Sequence, residues 1–143
     1  WRDHRGFIER DFEERFASFQ HEWQTAYVPG AWLLALEGER IVGVSLCTPT
    51  HADYAHIGTV YTLGVRREAR RRGIALALLR ASFVALHGLG NTIVNLWVDA
   101  DSLTGATRVY ERAGMHVFTR YTGYELELRP GYDPAVRQAN RAE

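Results

Sequence analysis

Residues 57–65 read as a single strand that runs into Arg66-Arg67-Glu68-Ala69-Arg70-Arg71-Arg72-Gly73, and an apolar helical pattern begins at once with Ile74. Val60, Tyr61, Leu63 and Val65 are β-formers. Ile74, Leu78, Ala81 and Ala85 recur at helical spacing until His87-Gly88. The strand must therefore deliver the chain to a helix start, where the first N–H groups lack intrahelical acceptors and the dipole end is positive. Phosphates bind readily at such a place. Gly73 lets the backbone approach a ligand closely, and Ala75 keeps the next turn uncluttered. The arginines add charge-assisted donors at the rim. The stretch has neither the Gly-x-x-x-x-Gly-Lys of a P-loop nor the glycine trio of a dinucleotide fold. By itself it is equally a solvated charge run at a helix start.

The whole chain, at 143 residues, is the size of one domain. Ile8, Phe12, Phe16, Phe19, Trp23 and Tyr27 fall on one face of one or two helices, with Glu13, Glu14 and Arg15 opposite, until Pro29-Gly30. That aromatic stripe is expected to pack into the core and to wall a cleft. Residues 32–36 and 41–46 form a hairpin across Glu37-Gly38-Glu39-Arg40, and residues 48–56 form a loop. A buried strand over residues 92–98, a helix over 103–113 stopped by Gly114, and closing strands over 117–118 and 121–128 follow. Residues 1–129 thus make one domain and residues 130–143 a polar tail. The expected class is α/β (α+β): a mixed, mostly antiparallel sheet with one parallel step between the strands flanking the long helix.

Charge and cysteine usage narrow the partners. The formal net charge of 0 and the single basic stripe argue against nucleic acid. No apolar run approaches the roughly 20 residues that span a bilayer, and no secretory signal pattern opens the chain. All 17 basic residues are arginine, which removes lysine as a catalytic base. The lone Cys47 forms no internal disulfide, suits the reducing cytoplasm, and reads as buried packing. His51, Asp53 and His56 share a loop without cysteine, too weak a pattern for a metal site, so no metal is expected. Asp99 and Asp101 read as caps of the second helix.

Two motifs in order carry a family resemblance. Arg70-x-x-Gly73-x-Ala75 after a strand resembles the acetyl-CoA motif of the GNAT N-acetyltransferases, Gln/Arg-x-x-Gly-x-Gly/Ala. Further on, Asp99-Ala100-Asp101-Ser102 leads into Ala106, Tyr110 and Gly114-Met115, which resembles the family's Asn-x-x-Ala-x-x-x-Tyr-x-x-x-Gly-Phe block. The match covers residues 32–128 and is similar to the C-terminal half of tandem GNAT proteins of the mycothiol synthase type. Residues 1–6 also resemble that group, so the family's first strand is expected upstream of Trp1, in a longer protein.

The resemblance implies the GNAT fold and direct transfer of an acetyl group from acetyl-CoA to an amine. It implies that pantetheine pairs with the backbone of Leu63, Gly64 and Val65, and that the Leu63 N–H meets the thioester oxygen, where charge develops. The N–H groups of Arg71, Arg72, Gly73, Ile74 and Ala75 would hold the pyrophosphate, with Arg70 at the rim. Tyr110 matches the tyrosine that protonates the departing thiolate. Thr59 stands where relatives carry a glutamate base, and it cannot accept a proton at neutral pH. His56, Asp99 or a water chain are the alternatives. Ser102 replaces the family asparagine, with a shorter reach toward the coenzyme. These departures keep a second possibility open, a module that binds coenzyme, or only the fold, and pairs with a second GNAT domain or a second copy. The acceptor is a small-molecule or peptide amine of undetermined kind.

Overall fold

A computed structural model describes residues 11–24, 27–50, 54–98, 106–124, 126 and 128. Three helices, α1 (Phe12–Trp23), α2 (Ile74–Gly88) and α3 (Ala106–Arg112), accompany four strands, β1 (Trp32–Glu37), β2 (Arg40–Thr48), β3 (Ile57–Val65) and β4 (Ile93–Asn95). The sheet order is β1-β2-β3-β4; the first two pairings are antiparallel and β3–β4 is parallel. The expected parallel step across α2 is present. No described helix is long and apolar enough to cross a membrane.

The register of β3 decides where everything else goes. Leu46 pairs with Thr62 and the next residue, Cys47, with Val60, so Tyr61 is the extra residue of a bulge. A bulge shifts side-chain alternation by one. Gly58 and Val60 face α2 before it, because a Cβ on Gly58 would lie 2.9 Å from Leu86 Cδ2 and Val60 packs with Leu79 and Leu86. Leu63 and Val65 face α2 after it, opposite Ser45 and Gly43. Ser45 reaches Ser82 of α2 at 2.8 Å, and a Cβ on Gly43 would lie 2.9 Å from Leu78 Cδ1. Thr59 and Tyr61 face the other way, where Tyr61 meets Trp23 of α1. The two helices therefore cover opposite faces.

The core is small: Ala31, Cys47, Val60, Leu79 and Leu86, with Leu63, Tyr110 and Met115 packed around it. Cys47 is a fully buried free thiol, as its place in an apolar strand suggested.

Three expectations need correction. The aromatic stripe is helical from Phe12, capped by Asp11, whose carboxylate accepts the Glu13 N–H at 3.0 Å. Cover is uneven, however: Phe12 is 71%, Phe16 45% and Tyr27 55% exposed, the first two stacked on each other, whereas Trp23 is buried against Trp32 and Tyr61. Helical spacing makes an apolar face, but only the part lying over a partner becomes core. The buried strand expected over 92–98 is three residues long, with Ile93, Trp97 and Val98 exposed, because β4 has a neighbour on one edge only among the described residues. The described residues of 117–128 form no strand and expose Val117, Phe118, Tyr121, Tyr124, Leu126 and Leu128. β-propensity needs a ladder to act on, and none is offered there.

Leu86→Ala is expected to lower the unfolding free energy by about 2–5 kcal/mol and Phe12→Ala by less than about 0.5 kcal/mol. Urea denaturation checks the contrast, and equal losses would mean that the first half of the stripe is buried.

Candidate active site

Two backbone features converge where β3 hands over to α2. The first is an open strand edge. Parallel pairing with β4 covers only Ile57, Gly58 and Thr59, opposite Ile93, Val94 and Asn95. From Val60 to Val65, β3 keeps β2 on one edge and has no strand on the other among the described residues. Leu63, Gly64 and Val65, the expected backbone partners of pantetheine, lie on this open stretch. Backbone N–H and C=O groups on such an edge need partners.

The second feature is the turn that follows. A single 3₁₀ turn, Arg67–Ala69, is anchored by Ala69, which is buried at 1% exposure. The Arg66 N–H donates to Val42 O at 2.9 Å and the Arg70 Nε–H to Val65 O at 3.2 Å, tying the turn back to the sheet. Arg71 and Gly73 then adopt positive φ, 61° and 82°. Arg71 is the non-glycine residue that does so among those described, a conformation that costs energy and gathers at ligand-binding turns. The first helical bond is Ala77 N–H to Gly73 O at 3.0 Å. The N–H groups of residues 71–76 consequently make no backbone hydrogen bond among the described residues. A Cβ on Gly73 would meet nothing within 4 Å, so open space lies in front of it. Six such donors at a helix N-terminus, with positive φ at Arg71 and Gly73, are an arrangement to which anions are attracted.

The arginine side chains divide. Arg72 Nη2 donates to Glu37 Oε1 at 2.6 Å, and this hydrogen bond, with the guanidinium charge, holds the Glu37 carboxyl below the usual carboxylate range. Arg40 pairs with Glu68. The β1–β2 hairpin thus grips the turn at two points. The Nε–H of Arg70 is engaged with Val65 O. Arg71 has an exposed guanidinium without a side-chain partner among the described residues.

Tyr110 is half-buried on α3, packed against the same core cluster as Leu63, and burial pushes its hydroxyl above the ordinary tyrosine value. Thr59 is 2% exposed and its hydroxyl donates to Asn95 Oδ1 at 2.7 Å. Asn95 is a partner that nothing in the sequence singled out; it is visible only once the parallel register is known.

His56 is not brought to Leu63. It is exposed at the start of β3, its ring edge-on to Tyr54, seven residues away from Leu63, or about 23 Å along a strand. The strand that carries both residues is extended, and that separates them. His51, Asp53, Asp99, Asp101 and Ser102 lie outside the described residues. Among the described residues no three His, Cys, Asp or Glu side chains converge. The imidazole that the sequence reading passed over is His21, on α1, which lines a cavity with Trp23 and Trp32 on the sheet face opposite α2.

Comparison with known proteins agrees with this geometry. The model of the Acetyltransferase (GNAT) family matches residues 1–115. Mycothiol acetyltransferase of Pseudarthrobacter chlorophenolicus is 36% identical over 108 residues, covering 73% of this chain and 31% of that protein. The solved GCN5-related N-acetyltransferase of Sphaerobacter thermophilus is 42% identical with a TM-score of 0.59, covering 74% of this chain and 32% of that one. The aminoglycoside enzyme AAC(6')-Iy, solved with the bisubstrate analogue CoA-S-monomethyl-acetylneamine, shares the fold, at TM-score 0.65 and 16% identity over 89% of each chain. The chain spans about a third of the length of the curated mycothiol acetyltransferases it matches.

Raising the folded pKa of Tyr110 has a sign that can be checked. Above about pH 10 the unfolded chain loses the tyrosine proton while the folded chain keeps it, so this contribution to stability is whole below that pH and declines as pH rises. Between pH 9 and 11, wild type is expected to lose more urea stability than Tyr110→Phe; identical losses would mean that the hydroxyl is not buried.

Proposed function

This chain belongs to the acetyltransferase (GNAT) family, and from that premise we propose that it is an acetyl-CoA-dependent N-acetyltransferase domain working by direct transfer to an amine. The observation that carries the reading is the row of unpaired N–H groups over residues 71–76, open in front of Gly73, at the end of a strand with one free edge. That row suits a pyrophosphate, and the free edge of β3 suits an extended amide-bearing arm. Acetyl-CoA supplies the activated acetyl group.

The residues divide the work by sheet face. The backbone of Leu63, Gly64 and Val65 orients the thioester end, and the Leu63 N–H donates to the oxygen on which charge develops. Tyr110 packs on the α2 side of the sheet, where it holds a proton at Oη for the departing thiolate. Its raised pKa keeps that proton in place at neutral pH. The amine approaches from the α1 side. No covalent intermediate with the protein is required, since nothing here resembles a nucleophile with its base. Ser102 would add a coenzyme contact. A lone buried Cys47 fits the reducing cytoplasm. Curated relatives about three times as long support pairing with a second domain in a longer protein.

One observation favours a second reading. The Thr59 hydroxyl is buried and spent on Asn95, so this position offers no proton acceptor to an incoming amine. A module that binds the coenzyme without turning it over would look the same there.

Calorimetric titration with acetyl-CoA is expected to give micromolar, one-to-one binding that Gly73→Glu abolishes, because a side chain at φ 82° is strained and its carboxylate opposes phosphate. A folded wild-type chain that binds nothing would overturn the proposal. Tyr110→Phe is expected to lower kcat about 100-fold while acetyl-CoA binding stays unchanged. Binding with no acetylation of any amine would select the second reading.

A further inference from the structure

The strained residue of the turn before α2 lies between two tethers, and one of them runs to a distant part of the chain. Arg71 holds φ at 61°, a left-handed conformation that a side chain adopts only at a cost. It persists where the neighbouring structure leaves no easier alternative. On one side the Arg70 Nε–H donates to Val65 O at 3.2 Å. On the other, Arg72 Nη2 donates to Glu37 Oε1 at 2.6 Å. We propose that Glu37, the last residue of β1, is a positioning residue for the coenzyme: acting through Arg72, it holds Arg71 left-handed and keeps the N–H row of residues 71–76 ready for the pyrophosphate. The inference rests on the acetyl-transfer reading above and names what sets the affinity of that site.

The hairpin is built to hold such a tether. Glu37 and Arg40 are its last rung, across Gly38 and Glu39, so their side chains leave the sheet on the same face. Glu68 and Arg72 stand four residues apart on the turn. The signs match in order, Arg40 with Glu68 and Glu37 with Arg72. The support is rigid at its base as well, because the Arg66 N–H donates to Val42 O of β2 at 2.9 Å. Glu39 carries the same charge in the same hairpin and makes no ion pair or hydrogen bond among the described residues.

Charge alone argues the other way. A carboxylate near an anion site repels the anion, so Glu37 as a bare charge would weaken coenzyme binding. As a tether it strengthens binding, because a turn already in the bound conformation need not be ordered by the ligand. A turn that relaxes in the free protein lowers the measured affinity by the fraction of chains still competent to bind. The two roles of one carboxylate therefore have opposite signs. The pair with Arg72 is solvent-exposed, and its contribution is correspondingly modest.

The test titrates the full 143-residue chain calorimetrically with acetyl-CoA, as wild type, Glu37→Ala, Glu37→Gln, Arg72→Ala, Glu37→Ala with Arg72→Ala, and Glu39→Ala. All three positions are exposed, so each variant should fold, as a thermal melt will verify. Glu37→Ala is expected to weaken binding about three- to fivefold, the scale of one exposed ion pair. Arg72→Ala is expected to weaken it by a similar factor and the double variant no further, since each removes the same tether. Glu37→Gln keeps an acceptor oxygen for Arg72 without the charge, and is expected to bind within about twofold of wild type. Glu39→Ala removes an equal charge and no tether, and is expected to leave the affinity unchanged or slightly raised. Unchanged or tighter binding by Glu37→Ala overturns the proposal, as does an equal loss in Glu39→Ala. A double variant weakened by the product of the single factors overturns it too, because Arg72 then meets the ligand independently of Glu37. Failure of Glu37→Gln to recover affinity has the same consequence. A folded wild type that binds no acetyl-CoA overturns the acetyl-transfer reading and this inference with it.

Discussion

Strand β3 is asked to do two things that oppose each other. It is held firmly enough to sit in the middle of the sheet, and it leaves backbone groups without a strand partner on one edge among the described residues. The chain resolves this by unequal pairing, from Thr59 to Val65 with β2 on one edge and for only three residues with β4 on the other. Thr59 and Asn95 mark where the parallel ladder ends, their side chains joined by a buried hydrogen bond. That bond fixes the last shared rung and therefore where the open edge begins. It also accounts for the absence of a carboxylate at this position: a group needed to close the ladder is not available to take a proton.

The bulge at Tyr61 is the second half of the same device. Without the extra residue, Leu63 and Val65 would turn to the α1 face, and the strand that packs through Val60 would no longer pack through Leu63. With it, the α2 face stays apolar from Gly58 to Val65, while Tyr61 turns to the aromatic wall of α1. The packing that secures this is tight. Gly43 and Gly58 lie so close to Leu78 and Leu86 that a methyl group would displace them.

The turn before α2 shows how charge is apportioned. Five arginines precede α2, yet the described ion pairs and hydrogen bonds commit Arg70 to the carbonyl of Val65 and Arg72 to Glu37. The pairs at the hairpin are solvent-exposed and weak one by one. Their effect is positional: they hold a turn with two left-handed residues in register with the sheet, so that the backbone donors, not the side chains, face the open space.

By itself the sequence determined the hairpin, β3 to the residue, the start of α2 at Ile74, the parallel crossover and the family, because each is written in local terms: alternation, helical spacing, a glycine at a helix start, two motifs in order. Only the tertiary structure decided which apolar residues are covered, since burial depends on what lies opposite. Phe12 and Phe16 share a helical face with Trp23 and are exposed, and the described β-forming residues between 117 and 128 join no ladder among the described residues. It likewise separated His56 from Leu63 by the length of an extended strand and brought His21 to the cavity wall instead. The bulge, the Thr59–Asn95 bond and the commitment of individual arginines all join residues far apart in the chain. Such pairings are set by register, and no local pattern in the sequence encodes them.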